Sequence, residues 1–423
     1  SERFGIRFAR AKDYPDYYPE KPGGKIGRAL EIEPLNSRRI GKWYDSLRIL
    51  MPIPIKTDDV WLLARAWSTP AGFVRGARFV FRTLGGLVTG QRKVGIGAAF
   101  ATAYLKAVVV ESGAELWLNS PAEELVLDDD GAVVGVKITQ DGETVTVGAS
   151  RGVMLAGGGF DHNTELRRAH HGIAGDSSGN PGNLGGPISL GEQAGAALEL
   201  MDDAWWGASI APAPVVDASF IVGERSLPHS IIVNAKGERF ANEAESYVDL
   251  GHHMLEQGAD QDFWFILDSR HTARYLRTFA LDPKANKAMA EAGILHKDPT
   301  LSGLAHKLGL DVETFRATVE RFNGFARTGI DHDFGKGNSA YDRYYGDPTV
   351  RPNPCLGAIA KPPFTAYRIV LGDLGTKGGV LTDEHARALR SDGSIIPGLY
   401  AAGNNSASVM GRTYPGPGST IAP

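Results

Sequence analysis

A single cysteine, Cys355, occurs in 423 residues. It excludes an internal disulfide within these residues and any cysteine-rich metal site, and it suits a reducing compartment. Positive charge is not in excess either. At a net charge of -4 the chain has no basic footprint for nucleic acid, which is excluded as a partner. The eleven histidines are scattered, and the adjacent pairs His170-His171 and His252-His253 lack metal-motif spacing, so they read as surface residues and no metal is expected. No apolar run is long enough to cross a bilayer and no secretory leader opens the sequence, so the expected location is cytoplasmic. One stretch lacks acidic residues altogether. From Val60 to Val110 there is no aspartate or glutamate, while seven cations (Arg65, Arg75, Arg78, Arg82, Arg92, Lys93, Lys106) alternate with tryptophan, phenylalanine and aliphatic residues. That pattern fits either an interfacial membrane contact through residues 61–82 or a helix pair whose arginines reach past apolar packing to water.

What is abundant is glycine, 53 residues clustered at 157–159, 172–195, 372–379 and 411–418. Such clusters suggest close backbone approach to a large ligand at several places. The length favours two domains. Phe4, Ile6 and Phe8 alternate with polar residues as an opening strand, which leads to a proline-bounded loop carrying Tyr14, Tyr17 and Tyr18. Residues 97–111 read as a buried helix, followed by alternating Leu116-Trp117-Leu118. Apolar runs around Asp130-Gly131 predict a hairpin over 125–136, and a third strand is expected at 143–147. Residues 151–155 then form a strand running into Gly157-Gly158-Gly159 and a helix capped by Asn163, a place where a nucleotide's phosphates or ribose could lie against backbone. The block 196–350 changes character. It holds a strand over 230–234, helical periodicity near 300–327 and an Asp/Gly-rich loop at 330–348 with Tyr341, Tyr344 and Tyr345. Near the end, Tyr414-Pro415-Gly416-Pro417-Gly418 cannot continue a helix or strand. It fixes one phenol and one bare N–H four residues apart. The two could converge on a single carbonyl oxygen, or the segment could be a tight turn with a surface tyrosine.

Several segments together carry a resemblance. These are Pro15-Asp16-Tyr17-Tyr18, Ala156-Gly157-Gly158-Gly159-Phe160, Glu238-Arg239-Phe240-Ala241-Asn242-Glu243, Asp373-Leu374-Gly375-Thr376-Lys377-Gly378-Gly379, and Gly398-Leu399-Tyr400-Ala401-Ala402-Gly403-Asn404 running into Tyr414 to Gly418. In these the chain resembles the FAD-dependent 3-ketosteroid 1-dehydrogenases, within the fumarate-reductase-like flavoproteins. The resemblance implies an α/β (α+β) fold, with a Rossmann-like FAD-binding domain discontinuous in sequence and an inserted substrate-binding cap domain. The expected division is 1–93 (loop and helices near the active site), 94–195 (FAD-binding part), 196–354 (cap) and 355–423 (FAD-binding return with the carbonyl-binding loop). It implies FAD as cofactor, a 3-ketosteroid as substrate, and an electron acceptor that the motifs do not identify.

Carried over by motif, Tyr414 and the amide of Gly418 hold the 3-keto oxygen, Tyr247 takes the proton from carbon 2, and Tyr17 hydrogen-bonds Tyr247, which would help a phenol act as a base. Ala122, Ala156, Gly157, Gly158, Gly185, Thr376, Gly378, Gly379, Gly403, Asn404 and Ser419 are the implied FAD contacts. The sequence departs from the family in having no GxGxxG turn, and in carrying Asn183-Leu184-Gly185-Gly186 where relatives usually have Thr-Gly-Asp. With the family's closing helix also missing, the residues are expected to be part of a longer chain. The rival readings are a steroid 4-dehydrogenase, whose final loop reads Tyr-x-Ser, another flavoprotein of the group, and a non-catalytic steroid- or membrane-binding protein.

Overall fold

The computed structural model describes residues 6–48 and 53–418. Its largest sheet is built around one long strand, Phe364–Thr376. The first half of that strand lies between Phe263–Leu267 and Leu295–Asp298, both antiparallel to it. Its second half lies between Ala204–Ile210, antiparallel, and the short parallel strand Asp176–Ser177. Ser230–Val233 and Ser219–Phe220 pair outside these. The sheet therefore takes strands from both sides of residue 354. Its inner strands are buried on both faces, as continuous apolar runs such as Phe263-Trp264-Phe265-Ile266-Leu267 demand. Alternate residues face opposite ways. Phe263, Phe265 and Leu267 pack with Leu250 and Met254 of the helix Tyr247–Gln257, and Trp264 and Ile266 pack with Phe315, Val319 and Phe322 of the helix Val312–Thr328.

A smaller sheet pairs Val153–Leu155 in parallel with Ile395–Ala401, which pairs antiparallel with Arg387–Leu389. Beside it stands the meander Ala122–Leu127, Val133–Gln140 and Glu143–Gly148, so the expected hairpin and third strand are present. Leu125, Val133, Leu155, Leu190, Val380 and Leu399 join these two sheets in one core. Asn163 caps the helix Thr164–His171 as expected, its side-chain oxygen accepting the N–H groups of Glu165 and Leu166.

Other expectations change. Phe4 lies outside the described residues, and the opening strand is Phe8–Arg10. The helix over 97–111 is Ile96–Leu105 continued by the wider turns of Lys106–Glu111. It buries Ala99, Thr102, Ala103 and Ala107 but exposes Tyr104, Val108 and Val110, because only one side of this apolar helix packs against the protein. Leu116-Trp117-Leu118 forms no strand and is exposed. Within 330–348 a short helix, Ala340–Tyr345, starts at a Ser339 cap, whose oxygen accepts the Asp342 N–H, and it buries Tyr341 and Tyr345. Nor are the paired histidines simply surface residues. His171 is wedged between Phe160 and Trp206, His252 meets Asp203 at 2.9 Å and His253 meets Glu245 at 2.8 Å.

Candidate active site

Three elements far apart in sequence bring three phenols together. Tyr17 comes from the proline-bounded loop, Tyr247 is the first residue of the helix Tyr247–Gln257, and Tyr414 comes from the Pro/Gly loop. Their ring centroids are 5.4 Å (Tyr17–Tyr247), 5.0 Å (Tyr17–Tyr414) and 5.2 Å (Tyr247–Tyr414) apart. All three side chains are buried, with Trp205 packed on Tyr414 at 4.8 Å. The loop is held by its neighbours. Tyr17 N–H donates to the Pro415 carbonyl at 3.0 Å, and Tyr414 N–H donates to the Tyr18 hydroxyl, which itself donates to Asp249 on the Tyr247 helix. The alternative of a turn with a surface tyrosine is thereby excluded. Gly418, at φ 102, takes a conformation that side-chain-bearing residues rarely adopt, and its N–H turns toward the Tyr414 hydroxyl. One O–H and one N–H thus share a small region of space.

That region is one end of a cavity of about 540 Å³, a volume suited to a small organic ligand. Tyr14, Tyr17, Tyr247, Tyr414 and Gly418 supply the polar end, while Phe8, Val60, Trp61, Phe100, Val222 and Leu374 supply apolar walls. Burial is the largest influence on the phenols and pushes Tyr17 and Tyr247 well above the usual phenol range. Burial also raises Tyr414, against the hydrogen bonds from Tyr247 and the Gly418 amide. The nearby Tyr17 does not turn Tyr247 into a ready phenolate, because desolvation outweighs what a neutral neighbour supplies.

The residues expected to hold FAD fall into groups. Gly157, Gly158, Gly185 and Thr376 meet on one floor. The Thr376 hydroxyl accepts the Phe160 N–H at 3.1 Å and the Gly185 N–H donates to the Gly159 carbonyl at 3.1 Å. A second group adjoins it. Gly379 lies against the Asn405 carbonyl, and Asn404 accepts the Trp205 indole N–H at 3.3 Å and approaches Gly375. Ala156 and Gly157 are exposed, and Ala122 begins a strand of the separate meander sheet. Ser419 lies outside the described residues. The glycine clusters have two different causes. At Gly157, Gly159, Gly378 and Gly379 a Cβ would strike protein, 2.5 Å from Pro187, 2.1 Å from Thr376, 2.4 Å from Met201 and 2.4 Å from Asn405. At Gly403 and Gly418 a Cβ would meet open space.

One residue was not foreseen. Asn405 is fully buried beside this floor, and neither polar atom of its side chain has a partner among the described residues. A buried unpaired carboxamide costs stability unless a polar ligand meets it. A flavin ring, with one N–H donor and two carbonyl acceptors along its pyrimidine edge, is such a ligand, so the floor fits the cofactor. An Asn doublet after glycine is too common a pattern to have marked this residue from sequence. Among the described residues no cluster of His, Cys, Asp or Glu could hold a metal.

Comparison with known proteins identifies the family. The FAD binding domain family matches residues 27–421. A 3-oxosteroid 1-dehydrogenase of Mycolicibacterium smegmatis is 42% identical over 97% of this chain and 75% of its own length, and one of Mycobacterium tuberculosis H37Rv is 41% identical over 97% and 76%. The crystal structure of a 3-ketosteroid delta1-dehydrogenase from Sterolibacterium denitrificans, in complex with 1,4-androstadiene-3,17-dione, superposes with a TM-score of 0.89. It is 35% identical and covers 98% of this chain and 78% of that one.

Proposed function

Because the chain belongs to the FAD-binding family of 3-oxosteroid 1-dehydrogenases, we propose that it oxidises a 3-ketosteroid between carbons 1 and 2. The observation that carries this reading is the convergence of the Tyr414 hydroxyl, the Gly418 amide and the Tyr247 hydroxyl at the polar end of an apolar cavity. A ketone oxygen seated there accepts from Tyr414 and Gly418. Each such donor is worth about 3–4 kcal/mol to an oxygen gaining charge, which acidifies the adjacent carbon. Tyr247 takes the carbon-2 proton on its oxygen, and Tyr17, packed edge-on against it, fixes the direction of approach. The apolar walls exclude water and select a fused hydrocarbon frame.

FAD, when bound, supplies the two-electron acceptor for the hydride that leaves carbon 1. The backbone at Gly157, Gly158, Gly378, Gly379 and Gly403, with Asn404, would hold it, and Asn405 joins them. Ala122, Ala156, Gly185, Thr376 and Ser419 complete the set that the resemblance assigns. The test is optical. Adding 4-androstene-3,17-dione to the flavin-loaded protein without oxygen bleaches the flavin absorbance, and a colour that persists overturns the reading. Tyr247→Phe and Tyr414→Phe keep the flavin but bleach at least about a hundredfold more slowly.

A second feature bears on where the reaction occurs. The helix Pro70–Val88 exposes Phe73, Val80, Phe81, Leu84, Leu87 and Val88, with Trp67 exposed just before it. No described helix is long and apolar enough to cross a membrane. A basic helix with an uncovered apolar face supports peripheral attachment to an anionic lipid surface, where a steroid would be dissolved.

A further inference from the structure

A phenol holds a ketone only as firmly as its own backbone is held. Residues 411–418 form neither helix nor strand, so no ladder of backbone hydrogen bonds fixes Tyr414. The proline-bounded loop fixes it instead. The Tyr17 N–H donates to the Pro415 carbonyl at 3.0 Å, and the Tyr414 N–H donates to the Tyr18 hydroxyl at 3.3 Å. The second of these reaches further, because the Tyr18 hydroxyl donates its own proton to the Asp249 carboxylate at 2.9 Å. Asp249 stands two residues after Tyr247, in the first turn of the helix Tyr247–Gln257. One hydroxyl therefore joins the backbone of the ketone donor to the element that carries the proton acceptor.

The reaction proposed above makes no use of Tyr18 or Asp249. Both are half-buried, Tyr18 against the phenol cluster, and neither is among the described residues that line the steroid cavity. A carboxylate in the first turn of a helix is favoured by the N-terminal end of the helix dipole on its own account. That explains an acid at position 249 but not a phenol turned toward it. A hydroxyl has one proton to give, so while Asp249 takes it the Tyr18 oxygen presents only lone pairs to the Tyr414 amide. Asp249 thus sets the direction in which Tyr18 accepts.

Resting on the dehydrogenation above, we propose that Tyr18 and Asp249 are positioning residues for it. The link Asp249–Tyr18–Tyr414 keeps the Tyr414 hydroxyl in place relative to the Tyr247 oxygen, so the ketone is polarised just where the carbon-2 proton leaves. The two phenols act on neighbouring carbons at the same moment, and a misplacement of about 1 Å between such groups costs up to about a hundredfold in rate. Without the link, Tyr414 still meets the ketone and the steroid still binds, but the two groups lose their common frame.

Removal of the carbon-2 proton transfers no electrons, so the step that the link serves can be followed without turnover. The flavin-loaded protein, chemically reduced, is incubated with 4-androstene-3,17-dione in D2O, and loss of the carbon-2 protons is followed by NMR against a protein-free control. Tyr18→Phe keeps the ring and removes the hydroxyl. It is expected to slow exchange and kcat about tenfold, with steroid Kd and flavin content within about threefold and the thermal midpoint within about 3 °C. Asp249→Leu is expected to match it, whereas Asp249→Asn, which still offers an oxygen to Tyr18, loses no more than about threefold. The double variant Tyr18→Phe/Asp249→Leu is no slower than the singles, since both break one link. Wild-type exchange in Tyr18→Phe and Asp249→Leu, or Asp249→Asn as slow as Asp249→Leu, overturns the positioning role alone when the wild-type protein bleaches its flavin. Loss of flavin or early melting in both single variants makes the pair structural and overturns that role as well. A wild-type protein that neither exchanges nor bleaches overturns the dehydrogenase reading and the link's role with it.

Discussion

Glycine means different things at different positions in this chain, and the difference is measurable. A methyl group at residue 378 would sit 2.4 Å from the backbone Cα of Met201, which cannot yield as a side-chain tip does. Gly378→Ala is expected to cost about 1–3 kcal/mol, seen as a lowered thermal midpoint. At Gly418 nothing obstructs a Cβ, and the cost comes only from holding φ at 102. Gly418→Ala should relax by turning the amide away, so turnover falls about tenfold or more while the melting temperature barely moves. A comparable loss of stability in both variants would show that Gly418 is structural. The phenols teach a related lesson. The Pro/Gly spacing around Tyr414 and Gly418 fixes local backbone, so a stiff loop there was legible, while the burial of its phenol was not. That Tyr247 is buried beyond easy ionisation was not, because desolvation depends on what packs around a residue rather than on its neighbours in sequence.

At the scale of elements, the helix Pro70–Val88 combines an unmistakable sequence signal with an ambiguous one. Pro70 follows Thr69, whose hydroxyl oxygen accepts the Gly72 N–H, so the start of the helix follows from capping chemistry. Which face it turns to the protein depends on tertiary contacts. Buried Asp59 on the helix Thr57–Ala64 accepts hydrogen bonds from Arg82 and Arg75, turning those arginines inward and leaving Phe81 75% exposed and Leu87 71% exposed. Phe81→Glu combined with Phe73→Glu is expected to reduce flotation with vesicles of phosphatidylglycerol and phosphatidylcholine by about tenfold or more, while bleaching by dissolved steroid proceeds at the wild-type rate. Raising the salt should weaken binding of the unaltered protein to those vesicles. Full flotation of the double variant would remove this helix from any membrane contact.

The molecule as a whole carries buried histidines that make it sensitive to acid. The His171 imidazole, enclosed by Phe160 and Trp206 and facing Arg167, is brought down to about 4, mainly by burial. Burial likewise pushes His271 well below the ordinary value. An unfolded histidine takes its proton near pH 6.5, so between there and pH 4 the unfolded chain binds a proton at His171 that the folded one refuses. Stability is therefore intact above about pH 6.5 and falls as the pH drops, by about 1.4 kcal/mol per pH unit for each such histidine. His171→Phe should flatten that slope by about one histidine's share in denaturant titrations at pH 5 and 7, and an unchanged slope would clear His171 of the effect.

By itself the sequence determined some local matters: the hairpin over 125–136 and the strand after it, the Asn163 helix cap, which loops are stiff, and through a handful of separated motifs which chemistry the chain serves. Those depend on spacing, capping and backbone freedom within a few residues. Only the tertiary structure decided that Tyr17, Tyr247 and Tyr414 share one cavity wall, that Asn405 is left unpaired beside the cofactor floor, and that the strand Phe364–Thr376 belongs to the same sheet as Ala204–Ile210. Burial, pairing and convergence are set by the packing of residues up to about 400 positions apart in the chain, and no local pattern encodes that distance.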